Sequence, residues 1–274
     1  MMRNYLKYLL ILMAPILLSG CLLTPGKFTS DMEIDADGSF TFRYDGEVYL
    51  LGFQNLFKAG AKAEEDDFKG ECFDDDLTTE RECTTEEFEE QLASKKQENE
   101  RMLAMFGGLM GGIDPSSPDA VGEFSARLAK QKGWNSVTHK GEGIFEISYE
   151  MEGELDRNFS FPEIEKVQGI TPFVVAIIRK DGSVRIDTPG FAAEQGGSGL
   201  GMLGALGAMG APGEAGDLPP VPKPDGTFRI TTNAEILTNN TEDGPSVAGR
   251  NLRVLTWTVN QRSKSPPEAL LKLD

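Results

Sequence analysis

The chain has 274 residues, of which 44 are acidic and 27 basic, giving a formal net charge of −17. A charge of this sign repels phosphate backbones and argues against nucleic-acid binding. Hydrophobic residues make up 39% of the chain, which is enough for a core and excludes a wholly disordered protein.

The first twenty residues have the organisation of a secretory signal. Arg3 and Lys7 form a positively charged start. The apolar run from Leu9 to Leu18 is too short to span about 30 Å of hydrocarbon. We therefore expect residues 1–20 to be a signal peptide.

The end of this segment, Leu18-Ser19-Gly20-Cys21, resembles the bacterial lipobox. In that family a diacylglycerol is attached to the cysteine sulfur, the chain is cut before the cysteine, and the new amine is acylated. The resemblance implies lipidation at Cys21 and a tether over residues 21–27. The alternative is an ordinary secretory signal followed by a chance cysteine.

Such an anchor suits the composition of the mature chain. Removing residues 1–20 takes away two bases and no acid, which leaves a formal charge of 25 − 44 = −19. From this net charge we expect no basic patch for anionic lipids. Two or more acyl chains are needed for stable attachment. By the sorting rule of such lipoproteins, Leu22 indicates the outer membrane, with the protein facing the periplasm.

Residues 32–51 have the period of β-strands. Asp37-Gly38 is a turn signal, and apolar or aromatic residues then occupy every second position from Phe40 to Leu50. Because the alternation continues through Gly46, we predict one long strand with a bulge or close backbone approach at that glycine.

Residues 54–133 change character. From Glu64 to Glu100 there are 16 acids and four bases. Thr84-x-x-Glu87 is a capping box that predicts a helix over about residues 85–106. A second helix is predicted from Ser117 to Gly133, so we expect a mostly helical acidic insert.

Cys72 and Cys83 remain after Cys21 is assigned to lipid. In an exported protein such a pair predicts a disulfide, which would close a short acidic loop and stabilise it by roughly 3 kcal/mol. The alternative is two free thiols. A zinc site is disfavoured because His139 is the only histidine, and we expect neither a metal nor a cofactor.

Strand signals return after residue 133. We predict a hairpin that pairs residues 134–139 with residues 145–151 across Lys140-Gly141. A second hairpin pairs residues 173–178 with residues 184–191 across Lys180-Asp181-Gly182. Further strand-like segments follow residue 225, and ALLKL at the end of the sequence is read as helix or strand.

Residues 192–225 are rich in glycine, which falls at every third position from Gly201 to Gly216. The simplest interpretation is a flexible insert. The sharper alternative is a mobile flap that covers an apolar ligand or touches the membrane, because methionine adapts to irregular apolar surfaces. Its contacts would be Met202, Leu203, Leu206 and Met209.

Together these patterns predict an α+β fold. An antiparallel sheet core over residues 28–53 and 134–274 would carry the acidic helical insert and the glycine-rich insert. We expect a single domain over residues 28–274.

The two ends of this core resemble LppM-like bacterial lipoproteins. The similar stretches are MEIDADGSFTFRYDGEV, which begins at Met32, and AEILTNN followed by LRVLTWTV. In that family a strand with an Asp-Gly turn opens the domain and a tryptophan-bearing strand closes it. The resemblance implies an envelope-anchored α+β domain with an apolar cavity suited to lipid.

No catalytic arrangement stands out. His139 has no second histidine beside it, and the glycines around Ser198 do not match the serine-hydrolase spacing. We therefore expect a non-catalytic envelope lipoprotein that binds lipid or another apolar ligand in its sheet-based core. The alternative is an interaction or assembly protein that engages an envelope partner through its acidic helical insert.

Overall fold

The computed structural model of the protein describes most of the chain beyond residue 22. The described residues are 23–50, 68, 70–74, 79–114, 117, 119–141, 143–167, 170–192, 223–249 and 251–274, with only the backbone at 99, 102, 106 and 109. Cys21 and the four predicted flap contacts (Met202, Leu203, Leu206 and Met209) lie outside these residues.

Strands dominate the described residues. They are β1 Leu23–Ile34, β2 Ser39–Leu50, β3 Cys72–Phe73, β4 Glu80–Arg81, β5 Trp134–Gly141, β6 Ile144–Glu154, β7 Phe159–Phe161, β8 Val174–Ile178, β9 Ser183–Asp187, β10 Asp225–Thr232, β11 Glu235–Asn239, β12 Ser246–Val247, β13 Arg253–Val259 and β14 Glu268–Lys272. The helices are α1 Thr85–Leu109, α2 Ala120–Leu128 and a 3-10 helix, Pro189–Phe191.

The strands form two large sheets and one small one. The large sheet has the order β12-β13-β10-β1-β2-β6-β5, and the second has the order β11-β14-β9-β8-β7. Only the β1–β10 pair is parallel; the other described strand pairs are antiparallel. Strands β3 and β4 pair with each other alone.

The prediction for Gly46 is confirmed. Strand β2 runs unbroken through it, and the register of β1 shifts between Pro25 and Phe28 on the opposite side. A Cβ atom on Gly46 would lie 2.6 Å from Cα of Phe28. Only glycine allows the two backbones to approach this closely.

The two large sheets pack face to face through a row of aromatic rings. Each ring of this row contacts at least one other, with centroids between 4.3 and 6.3 Å apart. The row consists of Trp134, Tyr149, Phe42, Tyr44, Phe161, Phe173, Phe191, Phe28, Phe228 and Trp257. The architecture is therefore a β-sandwich with an aromatic core.

Helix α2 extends the layer that covers the large sheet. Its apolar stripe of Ala120, Phe124 and Leu128 is buried. The Phe124 ring meets the Phe145 ring of β6 edge-on at 5.4 Å. The α2 stripe thus joins the sandwich core.

The predicted α+β class is wrong. The described residues are mostly β: 46% of them lie in strands, which form three sheets, and 17% are helical. The described part of residues 54–133 contains a β-hairpin and two helices, and the apolar stripe of α2 is buried in the core. These helices do not form a helical insert of their own. Helix α2 packs on the large sheet, and the first part of α1 packs on the β3–β4 hairpin.

Residues 23–27, which we expected to form a tether, are the first five residues of β1. Leu23, Thr24 and Pro25 pair with Leu50, Tyr49 and Val48 of β2. Leu23 and Thr24 are buried. The sandwich therefore begins two residues after Cys21.

A candidate functional site on a disulfide-linked head

Cys72 and Cys83 form a disulfide, with their Cα atoms 5.2 Å apart. The bond lies beside the β3–β4 hairpin, in which Cys72 pairs with Arg81 and Phe73 pairs with Glu80. We call the described residues around it, 68, 70–74 and 79–92, the head.

Gln91 of α1 fixes the hairpin to the helix. Its side-chain oxygen accepts from the backbone N–H of Glu71 at 3.1 Å, and its Nε2 donates to the carbonyl of Glu71 at 2.9 Å. Nearby, the Phe68 and Phe88 rings pack with centroids 5.3 Å apart, and Lys95 Nζ lies 5.2 Å above the Phe68 ring. The head thus has its own small core.

The helix start is capped as the sequence predicts. The hydroxyl of Thr84 accepts from the backbone N–H of Glu87 at 3.3 Å, and Glu87 accepts from the N–H of Thr84 at 2.9 Å. Arg81 donates twice to the same carboxylate, at 2.6 and 2.8 Å. The hydrogen bonds from Arg81 and Thr84 lower the pKa of Glu87 to about 2.

A polar length of α1 separates the head from the sandwich. Residues 93–101, which we call the stalk, contain no large apolar side chain, and all those whose side chains are described are exposed. At 1.5 Å per residue they extend roughly 13 Å. A helix that is polar all round is typical of a solvent-exposed connection.

The head concentrates negative charge around one exposed ring. Phe73 is 38% exposed. Against a single described base, Arg81, the head carries eight described acids, namely Glu71, Asp74, Glu80, Glu82, Glu86, Glu87, Glu89 and Glu90. Such a surface fits a partner that offers basic side chains around an apolar depression.

Sequence reasoning identified the cysteines and the capping box but missed Phe73, Gln91 and Arg81. The position of Phe73 between Cys72 and the acidic run Asp74–Asp76 was the available signal. Which ring stays exposed depends on the hairpin pairing, however. His139 is exposed on β5, with its ring 5.1 Å from that of Phe145.

The described residues that flank the three longest gaps, 1–22, 51–67 and 193–222, include several at one end of the sandwich. Leu23 pairs with Leu50, which precedes residues 51–67. Ala192 and Lys223 flank residues 193–222. Both flanks are close to β1, because the Phe191 ring stacks on that of Phe28 at 4.3 Å and Asp225 pairs with Lys27. We call this end, where β1 begins, the anchor end.

The described helices include none with the length and apolarity needed to cross a membrane. Within the described residues, no three acidic, histidine or cysteine side chains are grouped so that they could hold a metal ion. No protein-family model, curated protein or solved structure matches the chain.

Proposed function

We propose that the protein is a non-catalytic, lipid-anchored envelope lipoprotein that uses its head to engage a basic partner in the periplasm. The observation that carries this proposal is the exposed Phe73 ring among eight described acids, in a head that is followed along α1 by the exposed stalk. Opposite charge speeds encounter with a basic partner, and a desolvated aromatic ring supplies affinity.

The position of β1 supports the anchor. Because Leu23 already pairs with Leu50, a lipid on Cys21 would hold the anchor end near the bilayer. The acyl chains would supply the hydrophobic attachment. An outer-membrane location follows from Leu22 by the lipoprotein sorting rule.

A lipid ligand inside the sandwich has less support than a partner at the head. The space between the sheets is occupied by aromatic rings in mutual contact, several of them fully buried, including Phe42, Tyr44, Phe161, Phe173, Phe191 and Phe228. Lipid binding in an apolar cavity, as the resemblance to LppM-like lipoproteins implies, remains a prediction.

Site-specific photo-crosslinking in cells tests the proposed partner site. A photoreactive residue replaces Phe73 in one variant and Val247 in a matched control, since Val247 is an apolar residue on the sandwich with 69% exposure. We expect an adduct with a basic envelope protein at position 73 only, weakened when salt is raised in isolated envelopes. The same adducts at both positions, or none at position 73, would refute the proposal.

A further inference from the structure

Four basic residues gather at one corner of the anchor end, although the sequence scatters them. Lys27 lies in β1, Lys223 precedes β10, and Arg262 and Lys264 follow β13. All four are exposed. We call them the basic corner.

Strand pairing brings these residues together. Lys27 pairs with Asp225, two positions after Lys223, and Gly226 of β10 pairs with Val259 of β13. The turn after β13 is held by the N–H of Arg262, which donates to Asn260 Oδ1 at 2.8 Å. Because neighbouring strands lie about 4.8 Å apart, three adjacent strand ends carry the corner.

The charge of the corner is opposite to that of the whole chain. Two carboxylates lie beside the four bases: Asp225 and Glu47, the latter accepting from the backbone N–H of Lys27 at 3.1 Å. Among the described residues this local sum is +4 − 2 = +2, in a chain of formal charge −17. The described part of the opposite end of the same sheet carries five acids, namely Glu33, Asp35, Asp37, Glu152 and Glu154, and two bases, Arg253 and Arg43, the latter bridging Glu33 at 3.2 Å.

We infer that the basic corner contacts the headgroups of anionic phospholipids and so orients the sandwich on the bilayer. The inference rests on the proposed anchor, because the net charge of the free chain would repel an anionic surface. A lipid on Cys21 would hold the corner close to the surface, and each base that comes within a Debye length, about 8 Å, gains attraction to it. Strand β1 then leads away from the bilayer, and the acidic end of the sheet faces the periplasm.

Lysine footprinting on vesicles tests this contact. The mature, unacylated chain is coupled through the Cys21 thiol to a maleimide lipid, which leaves the Cys72–Cys83 disulfide intact. Vesicles are either phosphatidylcholine alone or a mixture with phosphatidylglycerol. We expect an amine-reactive ester to modify Lys27, Lys223 and Lys264 at least about threefold more slowly on the anionic vesicles, and Lys180 at the opposite end at an unchanged rate.

Charge variants separate lipid contact from mere closeness to the bilayer. Neutralising Lys223, Arg262 and Lys264 to glutamine should restore the modification of Lys27 on anionic vesicles, whereas Arg179→Gln/Lys180→Gln should not. Raising the salt to about 0.5 M should also restore the modification of Lys27, as the triple glutamine variant does. Equal rates on both kinds of vesicle, or equal slowing at Lys180, would overturn the inference.

Because the coupling is chemical, this result is independent of acylation in the cell. Mass analysis of the N-terminal peptide from cells tests the acylation by itself. Footprints as expected with an unmodified Cys21 would refute the proposed anchor while supporting the lipid contact of the corner. An acylated Cys21 with unchanged footprints would refute the lipid contact alone.

Discussion

The ring of Phe28 stacks on the ring of Phe191 with centroids 4.3 Å apart and an interplanar angle of 18°. This contact joins β1 of the large sheet to the 3-10 helix that follows β9 of the second sheet. Phe191 is fully buried and also meets Phe228 and Phe173. The Phe28–Phe191 pair therefore couples the two layers close to the anchor end.

Removing this ring should weaken the whole sandwich. We predict that Phe191→Ala lowers the free energy of unfolding by about 3–5 kcal/mol, because the cavity adds to the lost burial. Urea unfolding followed by tryptophan fluorescence measures the change. Leu237→Ala is the control, since Leu237 is 44% exposed, and it should cost less than about 1 kcal/mol. Similar losses for both variants would contradict the account of the core.

The close approach at Gly46 predicts a second large effect. The Cβ atom of Gly46→Ala would collide with Phe28, so the β1–β2 pair must separate locally, at a cost of about 3 kcal/mol. Gly122→Ala in α2 is the matched control, because no described atom outside its chain neighbours and its own helix backbone lies within 4 Å of the new Cβ. That change should stabilise the protein by up to about 1 kcal/mol. Thermal unfolding compares the two, and equal shifts would disprove the contact.

Asn240 links the two large sheets by hydrogen bonds. Its Oδ1 accepts from Trp257 Nε1 and from the N–H of Glu268, each at 2.8 Å, and its Nδ2 donates to the carbonyl of Pro266 at 2.8 Å. We predict that Asn240→Ala costs about 2 kcal/mol and shifts the fluorescence of Trp257, because its indole N–H loses its acceptor.

Asn251→Ala, which changes an exposed side chain, is the control for this link. Its unfolding curve and its emission spectrum should match those of the native protein. An unchanged spectrum in Asn240→Ala would rule out the hydrogen bond to Trp257.

The disulfide should stabilise the head without stabilising the sandwich. The hydrogen bonds and ring contacts of Gln91, Phe68 and Phe88 join residues of the head to one another or to the stalk. In the Cys72→Ser/Cys83→Ser variant we expect faster amide exchange over Thr85–Leu92 and unchanged exchange in β2. The local loss should be about 3 kcal/mol. Deprotection of β2 to the same degree would show that the head and the sandwich unfold together.

The carboxyl group of Glu87 should titrate at low pH. Its folded pKa of about 2 lies below its ordinary value of 4.5. Its contribution to stability is therefore fully present above about pH 4.5 and is lost as the pH falls through about 2. Carboxyl-carbon NMR measures the midpoint.

Arg81→Gln should raise the pKa of Glu87, because Arg81 is the largest cause of its depression. Lys96→Gln on the stalk is the matched control and should leave the midpoint unchanged. If Arg81→Gln also leaves it unchanged, the Arg81–Glu87 ion pair does not form in solution.

Local patterns in the sequence predicted the local structure well. Apolar and polar residues alternate on both sides of the Asp37-Gly38 and Asp181-Gly182 turns, and these segments form the β1–β2 and β8–β9 hairpins. Such alternation favours strands because it gives each one an apolar face to bury. The Thr84–Glu87 capping box marks the start of α1, which the structure places at Thr85. These features depend on neighbours a few residues apart.

Long-range pairing was not predictable from local patterns. The start of β1 contains Pro25 and Gly26, which disfavour strands, and pairing with β2 overrides that preference. The parallel β1–β10 pair joins residues 198 positions apart, such as Lys27 and Asp225. The basic corner depends on that pair. The net charge of the chain and its local charge runs therefore could not predict it.

The most direct test of the account is the partitioning of the protein between the detergent and aqueous phases of Triton X-114 extracts of cell envelopes. We predict that the native protein enters the detergent phase and that Cys21→Ser enters the aqueous phase, because acyl chains on Cys21 provide the hydrophobic attachment. Partitioning of both proteins into the same phase would contradict the proposed anchor.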